Sequence, residues 1–114
     1  MKVLLDTNFC LLTLKNGWAL EELIGEELII PDFIIKEIIK VEPKNSGEII
    51  QQLMNNGAEI KETNAQGDND EELLKLAVKT GSAIATNDSE LRKKALKKGV
   101  QTLYLRQGKK VVKG

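Results

Sequence analysis

The chain has 114 residues, 41% of them hydrophobic, and its 17 basic and 17 acidic side chains cancel to a formal net charge of zero. That length and composition predict one globular domain over 1–114 that buries a core without disulfides or a structural metal. With no histidine and one cysteine, a Cys/His zinc site and an internal disulfide are excluded; apolar runs are too short for a membrane span and Met1–Asp6 is too short for a signal peptide, so the expected location is cytoplasmic.

In chain order, Val3-Leu4-Leu5 predicts a buried strand over 2–5 that ends at Asp6, with a short helix possible after Thr7 and Cys10 as a small buried residue. A helix over 17–25 and a strand over 27–30 follow. Pro31 closes that strand, and Asp32 is placed to cap a helix over 32–41, which Pro43 stops. Asn45 or Ser46 starts a helix over 45–56, and a strand over 58–61 leads into the polar stretch Thr63–Asn69, the expected mobile loop. Then come a helix over 69–80, a strand over 82–86, a helix over 89–98 and a strand over 101–105, with a basic tail at about 107–114. Gly57, Gly81 and Gly99 stand where helix C-caps belong. Strands alternating with amphipathic helices predict an α/β fold, a three-layer α/β/α sandwich around a parallel sheet of about five strands.

Four acids occupy positions where a charge has no structural excuse. Asp6 and Asp88 sit where buried strands stop, so right-handed crossovers put both on the carboxyl edge of the sheet. Glu37 projects from the middle of the apolar arc formed by Phe33, Ile34, Ile38 and Val41. Asp70 points along the inward face defined by Leu73, Leu74, Leu76, Ala77 and Val78, whereas Glu71 and Glu72 fall outside it. Glu90 is read as facing solvent. Two like charges about 5 Å apart repel by roughly 3 kcal/mol at an effective dielectric near 20. A cluster of four must therefore bind cations or take up protons. All-oxygen donors select hard ions, Mg²⁺ or Mn²⁺. Thr7, Asn8, Thr86 and Asn87 stand where they could hydrogen-bond the carboxylates or metal waters, or serve as ordinary turn and cap residues.

Net neutrality hides a strong asymmetry. Beyond Leu91 there is no acid but nine basic residues, Arg92, Lys93, Lys94, Lys97, Lys98, Arg106, Lys109, Lys110 and Lys113. A chain that gathers cations in one region and polyanion in another has this distribution. Arg92, Lys93, Lys94, Lys97, Lys98, Lys109 and Lys110 are the candidates to track a polyanion backbone without reading sequence; the competing assignment is a solvated helix face and a Lys-rich tail.

Met1–Asn8, Pro31–Ile38, Asp68–Leu74 and Ala85–Leu91, taken in this order over nearly the whole chain, resemble the PIN-domain family. An aspartyl phosphotransferase also opens with an apolar strand and Asp, but it wants a second acid where this chain has Asn8. The PIN resemblance implies an acidic site at Asp6, Glu37, Asp70 and Asp88, dependence on Mg²⁺ or Mn²⁺, and endoribonuclease activity on single-stranded RNA. Asp70-Glu71 and Thr86–Lys93 look like the PIN nucleases of ribosomal RNA processing. The short chain and the Asp-Thr-Asn opening look like toxins of toxin-antitoxin pairs, and some members are noncatalytic RNA-binding or ribosome-assembly modules. Implied partners are RNA, an antitoxin or assembly factor, and a second copy of the chain. Trp18, Leu20, Leu23 and Ile24 are the candidate dimer surface, with plain core packing as the alternative.

Overall fold

The computed structural model describes residues 1–23, 25–106 and 110–114, and its sheet is built outward from the N-terminal apolar run. Strand β1 (Lys2–Leu5) buries Val3, Leu4 and Leu5 on both faces, as a central parallel strand must. It pairs in parallel with β2 (Glu27–Pro31) on one side and β4 (Ala83–Ala85) on the other. Strand β3 (Glu59–Lys61) continues beyond β2 and β5 (Thr102–Arg106) beyond β4, again in parallel. The order is β3-β2-β1-β4-β5-β6. Five strands thus end at one edge, and the winding direction reverses between β1 and β4, where a crevice opens in folds of this kind.

Strand β6 (Lys110–Lys113) departs from the sequence expectation of a basic tail. It pairs antiparallel with β5, its Val111 packs against the core, and the Val111 N–H donates to the Glu22 carboxylate. Two valines and a neighbouring strand are enough to order the segment. Lys109 lies outside the described residues.

Helices α1 (Thr7–Lys15), α2 (Trp18–Glu21), α3 (Asp32–Val41) and α4 (Ser46–Asn55) pack on one another, while α5 (Asn69–Thr80) packs on β4 and α6 (Ser89–Lys97) on β5. Right-handed crossovers explain the division: the chain winds one way from β1 to β3 and the other way from β4 to β5, which puts the two helix sets on opposite faces. Helices α4, α5 and α6 end at Gly57, Gly81 and Gly99, whose φ values of +90°, +66° and +74° suit glycine. At each, the next amide reaches back five residues, Ala58 to Leu53, Ser82 to Ala77 and Val100 to Ala95, which closes the last turn.

Three local expectations are corrected. Helix α2 is one turn long rather than 17–25, because the chain turns after it and passes through Gly25 at φ +93°. Its Leu20 and Leu23 are buried and Trp18 packs against the core, so they are core rather than a dimer face; Ile24 lies outside the described residues. Val78 and Val41, read as inward-facing, are 55% and 46% exposed, since the arcs they extend are wider than the surface that covers them. Finally, α3 starts at Asp32 with Pro31 as its cap residue, and the Asp32 carboxylate turns instead to Thr63. Among the described residues, no helix is long and apolar enough to cross a membrane.

Candidate active site

At the carboxyl edge an aspartate caps each of three helices, α1, α5 and α6. Asp6, directly after β1, accepts the Phe9 N–H at 2.7 Å and starts α1. Asp88 follows β4 by way of Thr86 and Asn87 and accepts the N–H groups of Glu90 at 2.9 Å and Leu91 at 3.4 Å, starting α6. Asp68 accepts the Glu71 N–H at 3.4 Å and starts α5. Helix N-termini favour negative charge, so three of them meeting at one edge help hold carboxylates that otherwise repel. Asp68 is not among the sequence candidates. Its signal was there, in the Asp-x-x-Glu spacing of a helix start over Asp68–Glu71.

Asp6, Glu37, Asp70 and Asp88 line a single open cavity of about 590 Å³, and Asp68, Asn69, Gly67, Thr7 and Asn8 line it with them. Among the described residues, no lysine or arginine does. Glu37 enters from the middle of α3, flanked by Ile34 and Val41, and Asp70 from the first turn of α5. How Asp70 reaches an edge that its own helix follows from β3 is answered by a tether. The Asp32 carboxylate accepts both the N–H of Thr63, at 3.0 Å, and its hydroxyl, at 2.7 Å, and the Thr63 oxygen accepts the Ala65 N–H at 3.3 Å. These bonds hold the Asp32 carboxylate below its ordinary range. Helix α3 therefore carries Glu37 and also fixes the start of the loop that delivers Asp68 and Asp70.

Charge at this edge is under-compensated. Asp6 is 6% exposed, and its carboxyl is pushed up to about 6, first by burial and then by the charges of Asp70 and Asp88, against the opposing pull of the Thr86 hydroxyl and the Phe9 amide. Asp70 is raised by burial and by Asp88 and Asp68, with Lys94 acting in the other direction. Among the described residues, no three His, Cys, Asp or Glu side chains are drawn together tightly enough to enclose an ion directly. The donor set nevertheless fits a hard dication: it is all oxygen, it includes a buried aspartate with no cationic partner, and Mg²⁺ prefers one or two carboxylates with water completing its shell.

Thr86 lies between two of the acids. It is fully buried, its Oγ1 accepts the Asp88 N–H at 3.0 Å, and its hydroxyl hydrogen bond lowers the pKa of Asp6. Asn87 is engaged elsewhere: its amide donates to the Leu105 carbonyl at 3.1 Å and accepts the Leu105 N–H at 2.8 Å, which clamps β5. Cys10 is fully buried behind Asp6 and its thiol is held far above the ordinary range.

The basic candidates are dispersed. Arg92 stacks over the Tyr104 ring at 4.1 Å, and Lys93 pairs with Glu90 at 3.9 Å on an exposed turn. Lys97 is exposed on α6 and Lys110 on β6. Lys94 and Lys98 line a separate groove between α5 and α6.

Known proteins bear on this arrangement. No curated protein matches the chain. Among solved structures, the PIN domain endonuclease Utp24 superposes with a TM-score of 0.76 at 21% identity, covering 96% of this chain and 90% of that one. A PilT N-terminus domain protein from the hyperthermophilic archaeon Sulfolobus solfataricus P2 gives 0.68 at 16% identity, covering 95% and 90%. A domain of a functionally unknown protein from Methanocaldococcus jannaschii DSM 2661 gives 0.61 at 17%, covering 92% and 91%. At these identities the likeness concerns the fold. The family model described as PIN like domain matches residues 3–108, a span that takes in all five cleft carboxylates, and by that match the chain belongs to the PIN-like domain family.

Proposed function

We propose that the chain is a divalent-cation-dependent endoribonuclease that hydrolyses single-stranded RNA, with Asp6, Asp70 and Asp88 holding Mg²⁺ or Mn²⁺ and Glu37 joining them directly or through water. The observation that carries this reading is a cavity lined by five carboxylates and, among the described residues, no basic side chain, in which burial pushes the most buried acid up to about 6. Membership of the PIN-like family and similarity to a structure titled as an endonuclease support it. When bound, such an ion polarises a phosphodiester and lowers the pKa of its water. The chain's own part is to hold the carboxylates ionisable and in place. Helix N-termini fix Asp6 and Asp88, the Thr86 hydroxyl orients both, and the Asp32–Thr63 tether sets the approach of Asp70. With no histidine in the chain, either the ion lowers the pKa of the attacking water far enough or a carboxylate takes its proton.

The resemblance of Thr86–Lys93 to nucleases of ribosomal RNA processing makes ribosomal RNA the substrate class to test first. The experiment is cleavage of a single-stranded oligoribonucleotide with Mn²⁺ and with excess EDTA. Cleavage that depends on Mn²⁺ and stops with Asp88→Asn supports the enzyme; cleavage that persists in EDTA sinks the metal mechanism. Binding without cleavage would leave a noncatalytic RNA-binding module.

A further inference from the structure

Beside the acid cleft runs a second depression that neither family membership nor the cleft chemistry assigns. It lies between α5 and α6, has a volume of about 540 Å³, and is lined by Glu71, Leu74, Lys75, Val78, Lys79, Lys94 and Lys98. The lining follows from helical phase. Lys75 and Lys79 are four residues apart on α5, and Lys94 and Lys98 four apart on α6, so each pair stacks on one face with lysines spaced about 6 Å along the axis. Leu74 and Val78 form the floor between them, with Val78 55% exposed. Among the described residues, Lys79, Lys94 and Lys98 form no salt bridge, and Lys75 makes only a solvent-exposed one to Glu72 at 3.5 Å. Four lysines thus face one acid of the lining, Glu71, in a chain of zero net charge.

The groove starts beside the cleft, with Glu71 in its lining next to Asp70 in the cleft. Helices α5 and α6 begin at Asn69 and Ser89, beside the cleft acids Asp70 and Asp88, and both run away from that edge. Lys94 is close enough to act electrostatically on Asp70, so the first lysine of the track borders the acid site.

The geometry points to this groove as the path of the single-stranded RNA leaving the cleft, with Lys94 and Lys98 on one bank and Lys75 and Lys79 on the other neutralising the two or three phosphates beyond the scissile one. This deepens the ribonuclease reading and rests on it for the identity of the strand. One-turn lysine spacing is comparable to the phosphate spacing of an extended strand. Lysines on flexible stems contact phosphate without reading bases. The apolar floor gives unstacked bases a dry surface to lie on. An acidic amphipathic peptide would also meet a cationic rim and apolar floor, but adjacency to the carboxylate cleft favours the polyanion that the cleft acts on.

The test uses the full chain and a short labelled oligoribonucleotide in EDTA, so that binding is read without cleavage. Lys79→Gln/Lys98→Gln changes two exposed groove residues and keeps helix propensity; Lys93→Gln/Lys110→Gln removes the same charge outside the groove. The groove pair should weaken binding roughly 5- to 10-fold and flatten the plot of log affinity against log salt by about 1.4, the loss of two single-strand phosphate contacts. The outer pair should change neither, and both variants should melt with the wild type. Equal effects from the two pairs, or no RNA binding by the wild type, overturn the path. A polyglutamate peptide that binds more tightly than RNA and is lost with the groove pair overturns it in favour of a protein partner. A wild type that binds through the groove but fails to cleave with Mn²⁺ removes the nuclease and leaves the groove; cleavage with an unchanged salt slope in the groove pair does the reverse.

Discussion

Helices α5 and α6 start among carboxylates and continue among lysines, and the fold treats the two charges in opposite ways. In the cleft Asp6 is buried and Glu37, Asp70 and Asp88 are half-buried, Asp6 and Asp88 accept backbone N–H groups, and burial and neighbouring charge push Asp6 and Asp70 toward their protonated forms. In the groove the lysines are exposed and placed by helical spacing alone. Charge that is desolvated and fixed by hydrogen bonds acts over short range and tolerates no change; charge on mobile stems in water acts additively and is screened by salt. Substitutions in the cleft should therefore be close to all-or-none, and those in the groove graded.

The largest effect should come from Asp6→Asn or Asp88→Asn. Asparagine caps a helix as well as aspartate does, so α1 and α6 should stay intact while the cation site loses a charged ligand. Manganese-dependent cleavage should fall by roughly 10³-fold, and the rise in melting temperature that Mn²⁺ gives the wild type should vanish. A variant that keeps its Mn²⁺ shift would show that the contrast between cleft and groove has been drawn in the wrong place.

Next in size is a stability effect of opposite sign. Free Asp6 ionises near 3.8, whereas in the fold it does so at about 6. Between those values the folded chain holds the extra proton, so stability falls as pH rises through the window and stays lowered above it. The shift corresponds to about 3 kcal/mol at neutral pH. Without divalent metal, Asp6→Asn should melt roughly 10–15 °C above the wild type at pH 8, and the difference should close near pH 4. Thermal melts in EDTA across pH check this. A wild type whose stability climbs between pH 4 and 6 for want of any such penalty would mean that Asp6 is solvated.

Much of this contrast was legible in the sequence, for reasons that are local. Val3-Leu4-Leu5 and Ala83-Ile84-Ala85 read as buried strands because they are buried on both faces, and helical phase alone singles out Glu37 and Asp70. What sequence reasoning lost depends on tertiary partners. Strand β6 exists only because β5 and Glu22 receive it. The groove needs lysines from two helices that no periodicity relates, so nothing in the sequence marks Lys75 and Lys79, and nothing there shows that Arg92 stacks on Tyr104. Asn87 was grouped with the cleft by proximity in sequence, yet its amide is committed to Leu105.

Thr86 sharpens the comparison from the cleft side. Thr86→Val keeps the shape but removes the acceptor for the buried Asp88 N–H and the hydrogen bond that steadies ionised Asp6. Mn²⁺ affinity should weaken about 10- to 30-fold, in the range of other losses one shell from a metal, while Thr86→Ser should recover most of it. Titration calorimetry reads both. Equal affinity in the valine variant would return Thr86 to a plain turn residue.

The smallest effect distinguishes fixed charge from placed charge within a single helix. Asp32 and Glu37 both lie on α3, but Asp32 faces the Thr63 loop rather than the cleft. Asp32→Ala removes two acceptors from a solvent-reachable tether and should lower stability only modestly. If the tether only closes a loop, cleavage should track that modest loss. If it sets where Asp70 enters the cavity, Mn²⁺ affinity should drop several-fold at temperatures far below melting, and Asp32→Asn, which still accepts one Thr63 bond, should fall between. Loss of affinity in parallel with loss of fold would leave Asp32 as scaffolding; a loss ahead of the fold would mean that the cleft extends its rigidity, unlike the groove, into residues that never touch it.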